Sequence, residues 1–409
     1  MQNNSYSETI SWLFEQFPSY QNIGAPAYKP DLGNIRELCA FLDLPEKKLK
    51  FIHVAGTNGK GSVSSMLASI LTESGQKTGL FTSPHLIDFR ERIRINGEMI
   101  PESEVVNFCS RIRQHNWSIA PSFFEITFAM ALWYFQEKEA TICVIETGLG
   151  GRLDATNIID PLVSVITNIS LEHTQFLGNT LDAIAQEKAG IIKKNKPVII
   201  GESTEETASV FSNIARQHSS PLIDCTTLPL SDQFEAPLLG NYQKRNLRTV
   251  LQTLDVLRSL QIETSDEAIR KGLTELTKNS GFMGRMQIID TSPLSILDVS
   301  HNEDGIVKTL ETVKQLNKGK LHLIYGTSAD KDYPKIVSLF PKDATVHFCT
   351  FRNQRTLSTE QFQQLNRQMH TQNPVYQDIK MAYKEVRSQS ATDDTILIFG
   401  SFFLVADFF

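Results

Sequence analysis

The sequence predicts an α/β protein of two domains: a larger N-terminal domain built on a parallel sheet, and a smaller C-terminal α/β domain of Rossmann-like type. Short β-branched runs alternate with longer stretches of helical periodicity along most of the 409 residues. This pattern is typical of parallel strands that are joined by helices. A glycine-punctuated run, NSGFMG at residues 279–284, interrupts the alternation before it resumes. We therefore place the boundary near residue 281 and predict domains of residues 1–280 and 281–409.

Each predicted strand is a short apolar run, and each predicted helix is an amphipathic stretch between two such runs. In the first domain we predict strands at residues 49–54, 77–81, 141–146, 162–167 and 197–200, and helices at 62–73, 102–114, 122–135, 242–260 and 266–276. In the second domain we predict strands at 286–290, 294–299, 321–325, 345–349 and 395–399. Periodicity fails between residues 219 and 240, which are rich in Ser, Thr and Pro.

Composition and charge favour a cytoplasmic enzyme that acts on small molecules. The 46 acidic residues outnumber the 40 basic ones, which argues against nucleic-acid binding through a basic face. Five scattered cysteines form no C-x-x-C pair, so we expect reduced thiols. The N-terminus lacks signal-peptide features, and the most apolar stretch, residues 395–409, is too short and too interrupted to cross a membrane. We expect a monomer.

A phosphate-binding loop follows the first predicted strand. Residues 53–62, HVAGTNGKGS, lie between an apolar strand and a helix. Glycines let backbone N–H groups converge on phosphate oxygens, and Lys60 would neutralise them. These features indicate an ATPase domain of the P-loop type, with ATP bound by Thr57, Asn58, Gly59, Lys60, Gly61 and Ser62. The match to the usual motif is incomplete because Gly61 replaces the metal-binding hydroxyl residue, so another group must hold the metal.

Three further polar segments follow predicted strands, at the sheet edge where open α/β folds bind ligands. They are TSPH at residues 82–85, ETGLGGRLDATN at 146–157 and TNISLEHT at 167–174. Ser83, Glu146 and His173 could supply the hydroxyl, carboxylate and imidazole that the loop lacks. Each also has a purely structural alternative, since Ser83 and Glu146 could cap local turns and His173 could be a hydrogen-bonded loop residue.

Together these motifs resemble the Mur-type ATP-dependent amide ligases, and among them the folylpolyglutamate and dihydrofolate synthases. The similarity covers nearly the whole chain and adds ERIRING at 91–97, FFE at 123–125, EKAGI at 187–191 and LDVSHN at 297–302. It implies ATP-driven addition of L-glutamate to a pteroate or folate carboxylate through an acyl phosphate. We expect a bifunctional enzyme that carries out both additions.

The resemblance also implies residue roles. It implies one magnesium ion bound by Ser83 and Glu146, a second bound by Glu146 and His173, and a carbamylated lysine at Lys188. The predicted catalytic residues are Lys60, Glu146, His173 and Lys188. It implies nucleotide contacts from Asn246, Arg285, Asp298, His301 and Ser401, and an acceptor site bordered by Phe123, Phe124, Arg152, Asp154 and Ala155. The alternatives are a solvated helix lysine at Lys188, turn caps at Asp298 and His301, and core packing for the two phenylalanines.

The chain departs from the family pattern at three positions, with Glu172 in place of Asp, Met283 in place of Pro and Glu303 in place of Pro. Three rival interpretations remain. Another Mur-type amino-acid ligase would share the ATP chemistry, a P-loop small-molecule kinase would not need glutamate, and an ATP-gated interaction module would have no use for Lys188 or His173.

Overall fold

The computed structural model describes residues 5–17, 31–44, 49–115 and 117–409. Residues 1–4, which begin the N-terminus that we predicted to lack signal-peptide features, lie outside the described residues. The chain divides into two compact units, one of residues 1–237 with 243–282 and the other of residues 238–242 with 283–409. Each unit contains its own sheet with helices along the chain between strands. The predicted α/β class is confirmed.

The first unit contains an eight-stranded sheet. Its strands are Lys50–Ala55 (β1), Thr78–Phe81 (β2), Ile93–Ile95 (β3), Glu98–Met99 (β4), Ile142–Glu146 (β5), Val163–Ile166 (β6), Val198–Ile200 (β7) and Leu222–Asp224 (β8), in the order β4-β3-β2-β5-β1-β6-β7-β8. From β2 to β8 all neighbours pair in parallel, whereas β3 and β4 form an antiparallel edge. The central strands are wholly buried because side chains cover both of their faces.

Helices lie before, between and after these strands in the described part of the first unit. They are Tyr6–Gln16 (α1), Gly33–Phe41 (α2), Lys60–Glu73 (α3), Glu102–Gln114 (α4), Phe123–Glu137 (α5), Thr174–Leu177 (α6), Leu181–Ala189 (α7), Glu205–Gln217 (α8), Asn241–Ser259 (α9), Asp266–Thr274 (α10) and Leu276–Ser280 (α11), with 3₁₀ helices at Phe89–Arg92 and Ala155–Ile158. Helix α5 is fixed at its start by a capping box, in which the Ser122 hydroxyl accepts from Glu125 N and the Glu125 carboxylate accepts from Ser122 N.

The second unit contains a six-stranded sheet. Its strands are Gln287–Thr291 (β9), Leu294–Asp298 (β10), Leu321–Tyr325 (β11), Thr345–Cys349 (β12), Val375–Tyr376 (β13) and Thr395–Phe399 (β14), in the order β13-β12-β11-β14-β10-β9. Only β9 is antiparallel to its neighbour. Its helices are Glu303–Leu316 (α12), Tyr333–Val337 (α13), Thr359–Gln368 (α14), Ile379–Gln389 (α15) and Phe402–Phe408 (α16). The core packs aromatic side chains of β11, β12 and β14.

The structure contains four strands that the sequence did not predict: β3, β4, β8 and β13. All are two or three residues long and lie at or next to a sheet edge. Partial exposure removes the continuous apolar signal from β4, β8 and β13, and Arg94 interrupts it in the buried β3. The segment from residue 219 to 240 is therefore not wholly irregular, since it contains β8. The ten predicted strands are all present, within one residue of the predicted limits at each end.

Helix α3, which follows the phosphate loop, packs against α10. The two helices approach closely at Gly272, where a Cβ would lie 2.5 Å from the Cα and 2.8 Å from the N of Ile70. Ser69 also donates its hydroxyl proton to the Gly272 carbonyl across this contact, at 2.5 Å. Since two of the three obstructing atoms belong to the Ile70 backbone, the third being its Cγ1 at 2.8 Å, only glycine fits without moving a helix.

We expect Gly272→Ala to lower the free energy of unfolding by about 1–3 kcal/mol, because the added methyl group must push α10 away from α3. Denaturant unfolding measures the change. Thr274→Ala, an exposed substitution on the same helix, is the control and should stay within about 0.5 kcal/mol of the parent protein. Equal stabilities for the two variants would contradict the close approach.

Candidate active site

The phosphate loop lies where β1 ends, between β5 and β6 in the sheet. It connects Ala55 at the end of β1 to Lys60 at the start of α3. Gly59 is the N-cap residue, in a left-handed conformation with φ 84°. A glycine offers no side chain to cap the first N–H groups of the helix, so these donors are suited to an anion. A Cβ at Gly59 would lie 2.6 Å from Asn246 Oδ1, so any other residue here would also displace the Asn246 side chain.

The loop after β6 fixes the shape of the phosphate loop. The Asn168 side chain accepts a hydrogen bond from Asn58 N at 3.0 Å and donates one to Asn58 O at 3.0 Å. Thr167 donates its hydroxyl proton to the same carbonyl at 2.6 Å. Thr57 adds a third connection, since its hydroxyl both donates to Ser170 O and accepts from Ser170 N. The backbone geometry needed for phosphate binding is thus set before any ligand arrives.

Two lysines share one carbonyl in this loop. Lys60 Nζ donates to Gly56 O at 3.0 Å and to Thr57 O at 3.1 Å, and Lys188 Nζ donates to Gly56 O at 2.8 Å. Lys188 lies on α7 and is only 4% exposed. Burial, with the positive charge of Lys60 as the second cause, lowers the pKa of Lys188 to about 7. Lys188 is therefore not the solvated helix lysine of the structural alternative.

Ser83 and Glu146 are brought together beside the start of α3. Glu146, the last residue of β5, is buried, and its Oε2 accepts from the backbone N of Ser83 at 3.2 Å. A Cβ at Gly61 would lie 3.9 Å from the same Oε2. The carboxylate therefore faces the first turn of the helix, where the side chain of a larger residue would stand if Gly61 were replaced.

Glu172 and His173 follow the same loop that braces the phosphate loop. His173 is the N-cap of α6 and has a left-handed backbone, φ 51°, which is uncommon for a non-glycine residue. Its Nε2 lies 3.9 Å from Glu172 Oε1. The charge of Glu172 acts on Lys188, whose pKa it raises against the larger effect of burial. Glu172 thus belongs to the electrostatic environment of Lys188. From the sequence alone, Glu172 is only a departure from the Asp of the family pattern.

The donor chemistry at this edge of the sheet fits a hard cation only in part. Ser83 and Glu146 offer the oxygen ligands that magnesium prefers. Lys188 as an ammonium ion would repel a cation, and as a carbamate it would become an oxygen ligand. Within the described ranges, no group of three or more His, Cys, Asp or Glu side chains is placed to hold a metal ion, so Ser83 and a modified Lys188 would be needed in the ligand set.

The glycine-rich segment after β5 packs between two candidate site residues. A Cβ at Gly148 would lie 2.6 Å from Cζ of Phe124, and one at Gly151 would lie 2.7 Å from Lys188 O. Arg152 anchors the segment to α7, with its backbone N donating to Glu187 O at 2.7 Å and its guanidinium pairing with the Glu187 carboxylate at 2.8 Å. The absence of side chains at these glycines allows the segment to approach both Phe124 and Lys188.

The other residues that were predicted to border the site of the acceptor substrate differ in exposure. Phe123 is 3% exposed, stacks on Phe14 with ring centroids 4.7 Å apart and lies under Arg92, as core packing would require. Phe124 is only partly buried. Asp154 and Ala155 are buried at the start of the 3₁₀ helix that follows the glycine-rich segment.

Asn246 lies at the phosphate loop, next to Gly59. Its Nδ2 donates to Gln243 Oε1 at 2.9 Å, and Gln243 Nε2 donates to Ser62 Oγ at 3.3 Å. This chain of side chains connects α9 with the first turn of α3. The arrangement fixes the position of the Ser62 hydroxyl.

In the second unit, the predicted nucleotide residues cluster around the end of β10 and the start of α16. Asp298 Oδ2 accepts from Met286 N, and Oδ1 accepts from Ser300 N and the Thr309 hydroxyl. Arg285 and His301 both pack against the ring of Phe402, at 5.2 and 5.6 Å. Ser401 caps α16 by accepting from Phe403 N. Of the two residues with turn caps as the structural alternative, Asp298 and His301, Asp298 has such capping contacts.

Family models match most of the chain. The Mur ligase middle domain matches residues 54–253, and the Mur ligase glutamate ligase domain matches residues 284–402. The dihydrofolate synthase/folylpolyglutamate synthase of Bacillus subtilis is 32% identical, with 98% of each chain covered. The enzyme of the same name from Escherichia coli is 32% identical over 98% of this chain and 94% of that relative.

Solved structures agree with the sequence comparison. Escherichia coli FolC in complex with DHPP and ADP has a TM-score of 0.85 and 29% identity, covering 99% of this chain and 96% of that one. The bifunctional folylpolyglutamate synthase/dihydrofolate synthase of Yersinia pestis, complexed with AMPPNP and a Mn ion, has a TM-score of 0.85 and 27% identity, covering 99% and 97%.

The two sheet domains and the phosphate loop thus define an ATP-dependent ligase of the Mur type. Within that class, the chain belongs to the dihydrofolate synthase/folylpolyglutamate synthase family. The resemblance stated from the motifs is confirmed. Across the part of the chain that the structure describes, no helix is both long enough and apolar enough to span a membrane.

We expect Asn168→Asp to raise the KM for ATP about tenfold. The carboxylate keeps the acceptor for Asn58 N but replaces the donor to Asn58 O with a second acceptor, so the loop loses one hydrogen bond and gains a repulsion. Steady-state kinetics measure the change.

Asn366→Asp provides a matched control in the second unit. Asn366 is also 8% exposed and makes the same two-point contact, donating to Asn373 O and accepting from Asn373 N. Its substitution should affect stability without changing the KM for ATP. An increase of the same size in both variants would show that the effect of Asn168 is one of general stability.

Proposed function

We propose that the protein joins L-glutamate to the carboxylate of a pterin-containing acceptor at the expense of ATP, and that both dihydropteroate and reduced folate serve as acceptors. Family membership supports this proposal, as does the solved structure of a bifunctional folylpolyglutamate synthase/dihydrofolate synthase with Mn, AMPPNP and L-glutamate bound. The structural observation that carries the proposal is the pair of lysines on the Gly56 carbonyl. A second buried amine beside the phosphate loop has a use in this ligase chemistry, whereas a simple kinase would not require it.

The proposed reaction has two steps. An oxygen of the acceptor carboxylate attacks the γ-phosphorus of ATP, and the bond to ADP breaks, which gives an acyl phosphate. The uncharged amine of glutamate then attacks the acyl carbon, phosphate leaves and the nitrogen loses a proton. Negative charge shifts toward the leaving oxygen during the first step, so fixed positive groups lower its barrier. In this chain Lys60 and the N-terminus of α3 would provide them.

Lys60 would exchange its present partners for a phosphate oxygen. Its ammonium group contacts Gly56 O and Thr57 O, and a phosphate oxygen carries more negative charge than either carbonyl. The exchange is therefore favourable once the nucleotide enters. Release of Lys60 would also reduce the crowding of positive charge at Gly56 O.

We propose that Ser83 and Glu146 hold one magnesium ion, and that Glu146, His173 and carbamylated Lys188 hold a second. Bound magnesium would neutralise phosphate charge. The hydroxyl and carboxylate oxygens suit this ion, and Glu146 is already oriented by the backbone N–H of Ser83. Glu172 would contribute negative charge nearby without being one of the proposed ligands.

The environment of Lys188 favours carbamate formation. Only the uncharged amine attacks CO2, and a pKa of about 7 leaves Lys188 mostly uncharged at pH 8. The uncharged nitrogen forms a bond to the carbon of CO2 and releases one proton, which converts the neutral side chain into an anion; starting from the ammonium ion, two protons are released in all. An anion beside Lys60 is electrostatically more favourable than a second ammonium ion.

We propose that the nucleotide also contacts Asn246 in the first unit and Arg285, Asp298, His301 and Ser401 in the second. Phe402 holds the Arg285 and His301 side chains against one ring. For the acceptor, we propose that Phe124 provides the aromatic surface and that Phe123, Arg152, Asp154 and Ala155 shape its surroundings. We also place the protein in the cytoplasm, because all five cysteines are free and buried.

The proposed function predicts that phosphate release with Mg-ATP depends on both L-glutamate and a pterin acceptor. Purified protein should release phosphate with dihydropteroate and with tetrahydrofolate, and mass spectrometry should show that each acceptor gains one glutamate. Phosphate release without glutamate would contradict the ligase and favour a kinase or ATPase. Activity with only one acceptor would contradict the bifunctional assignment.

The carbamate predicts a requirement for CO2 that is specific to Lys188. At a fixed CO2 pressure, the modified fraction should rise as the pH increases through about 7, because the amine loses its proton there. Isotope-labelled CO2 should give a carbamate signal by NMR in the parent protein. Turnover should fall in CO2-depleted buffer and return on addition of bicarbonate.

Lys188→Ala should lose most turnover, about 100-fold or more, while ATP binding measured by calorimetry is retained. Lys194→Ala, an exposed lysine substitution a few residues further along the chain, should behave as the parent protein. A Lys188→Ala variant that still shows the labelled carbamate signal or normal turnover would rule out the carbamate at this position.

A further inference from the structure

A buried polar chain runs from the centre of the first sheet to the glycine-rich segment. His53 lies in the middle of β1, between Ile52 and Val54, and is fully buried. Its Nε2 lies 2.8 Å from the hydroxyl of Thr156. The same hydroxyl lies 2.5 Å from Oδ1 of Asp154. An apolar residue at position 53 would avoid the free-energy cost of burying an imidazole. The hydrogen bond that His53 makes is therefore expected to have a structural or functional role.

The directions of these hydrogen bonds follow from Asp154. Three backbone N–H groups point at its carboxylate: Gly148 at 2.9 Å and Leu149 at 2.7 Å on Oδ2, and Thr156 at 3.0 Å on Oδ1. A backbone N–H can only donate, so the carboxylate acts as an acceptor. The Thr156 hydroxyl therefore gives its single proton to Asp154 and must accept from His53.

This fixes the tautomer of His53. The proton lies on Nε2, and Nδ1 has no hydrogen-bond partner within the described residues. Burial lowers the pKa of His53 to about 3, so the ring stays neutral. Burial raises the pKa of Asp154, and the hydrogen bond from the Thr156 hydroxyl is the largest of the effects that oppose this rise. Among the neighbours of Asp154, Thr156 thus has the largest effect in lowering its pKa.

Asp154 in turn determines where the glycine-rich segment lies. Its Oδ2 holds the N–H groups of Gly148 and Leu149, and Gly148 packs against the ring of Phe124. Without the carboxylate, both N–H groups would lose their partner, and the segment would be free to move away from Phe124. The chain from His53 therefore ends at the surface that we assign to the acceptor.

We propose that His53 and Thr156 are positioning residues, which act through Asp154 to hold the backbone of Gly148 and Leu149 where the acceptor binds. The role of this backbone rests on the proposed function, whereas the effect of the two residues on the segment does not. The proposal therefore needs one measurement of structure and one of kinetics.

Thr156→Val removes the hydroxyl while keeping the shape of the side chain, and Thr156→Ser keeps the hydroxyl. Amide hydrogen exchange of the peptide that covers residues 147–153 should become at least about tenfold faster in Thr156→Val, since the loss of one hydrogen bond to a charged group is of that order. Thr156→Ser should exchange as the parent protein does. Parent-like exchange in Thr156→Val would overturn the proposal, whatever happens to activity.

The kinetic test separates positioning from loss of stability. Thr156→Val should raise the KM for the acceptor about five- to tenfold with the KM for ATP unchanged, and Thr156→Ser should restore it. Thr253→Val is the control, because Thr253 is a fully buried threonine on α9 whose hydroxyl bonds only within its helix, to Thr249 O. An equal rise of acceptor KM in Thr253→Val would overturn the specific role.

A pair of variants tests the histidine in the same way. Glutamine places a donor near the position of Nε2, so His53→Gln should retain the exchange rate of the segment, whereas His53→Met, of similar length, should accelerate it as Thr156→Val does. Equal exchange in the two variants would overturn the role of His53. If the parent protein forms no glutamate adduct, the proposed function fails, and the exchange data still decide whether His53 and Thr156 hold the segment.

Discussion

The carbonyl of Gly56 is the atom on which the arrangement of the candidate site depends. It accepts hydrogen bonds from Lys60 and Lys188, so it brings together a cation suited to phosphate and a buried amine. Its position requires glycine, because the backbone has φ 146° and a Cβ would overlap the Thr167 hydroxyl. Two ammonium ions around one carbonyl repel each other. This repulsion is reduced when an anion enters or when one amine loses its charge. Phosphate binding and modification of Lys188 are therefore both favoured electrostatically.

The order of the strands explains how distant segments supply this site. Strands β5, β1 and β6 are neighbours and parallel, so the loops that follow them meet at one edge of the sheet. One loop carries the phosphate-binding glycines, the second begins at Glu146 and the third contains the Asn168 amide that holds Asn58. The hydrogen bonds between the first and third loops are possible because β1 and β6 pair directly.

Most of the strands that could be predicted bury apolar residues continuously, although β9 was predicted while being partly exposed. Strand β5, ICVIE, is buried along its length, and its end at Glu146 followed from the sequence, as did the start of the phosphate loop. Strand β4, with one exposed and one partly exposed residue, gave no such signal. Contacts between distant segments were also beyond sequence reasoning: nothing in the EKAGI motif indicates that Lys188 donates to Gly56 O, and nothing near His53 indicates that it contacts Thr156. Such pairs depend on strand order and on loop conformation, which periodicity does not encode.

Both units use a buried aspartate to fix backbone beside candidate ligand-binding residues. Asp154 accepts from Gly148 N and Leu149 N in the first unit, and Asp298 accepts from Met286 N and Ser300 N in the second. Met286 follows Arg285 and Ser300 precedes His301, so the Asp298 carboxylate restrains the backbone next to two proposed nucleotide contacts. A carboxylate suits this task because it accepts several N–H donors at once, and charge strengthens each bond. The capping role of Asp298 is therefore compatible with a role in the site. An aspartate that only terminates a strand would make the same hydrogen bonds as one that positions Arg285 and His301. The difference lies in the side chains that the restrained backbone presents, which here are two proposed nucleotide contacts.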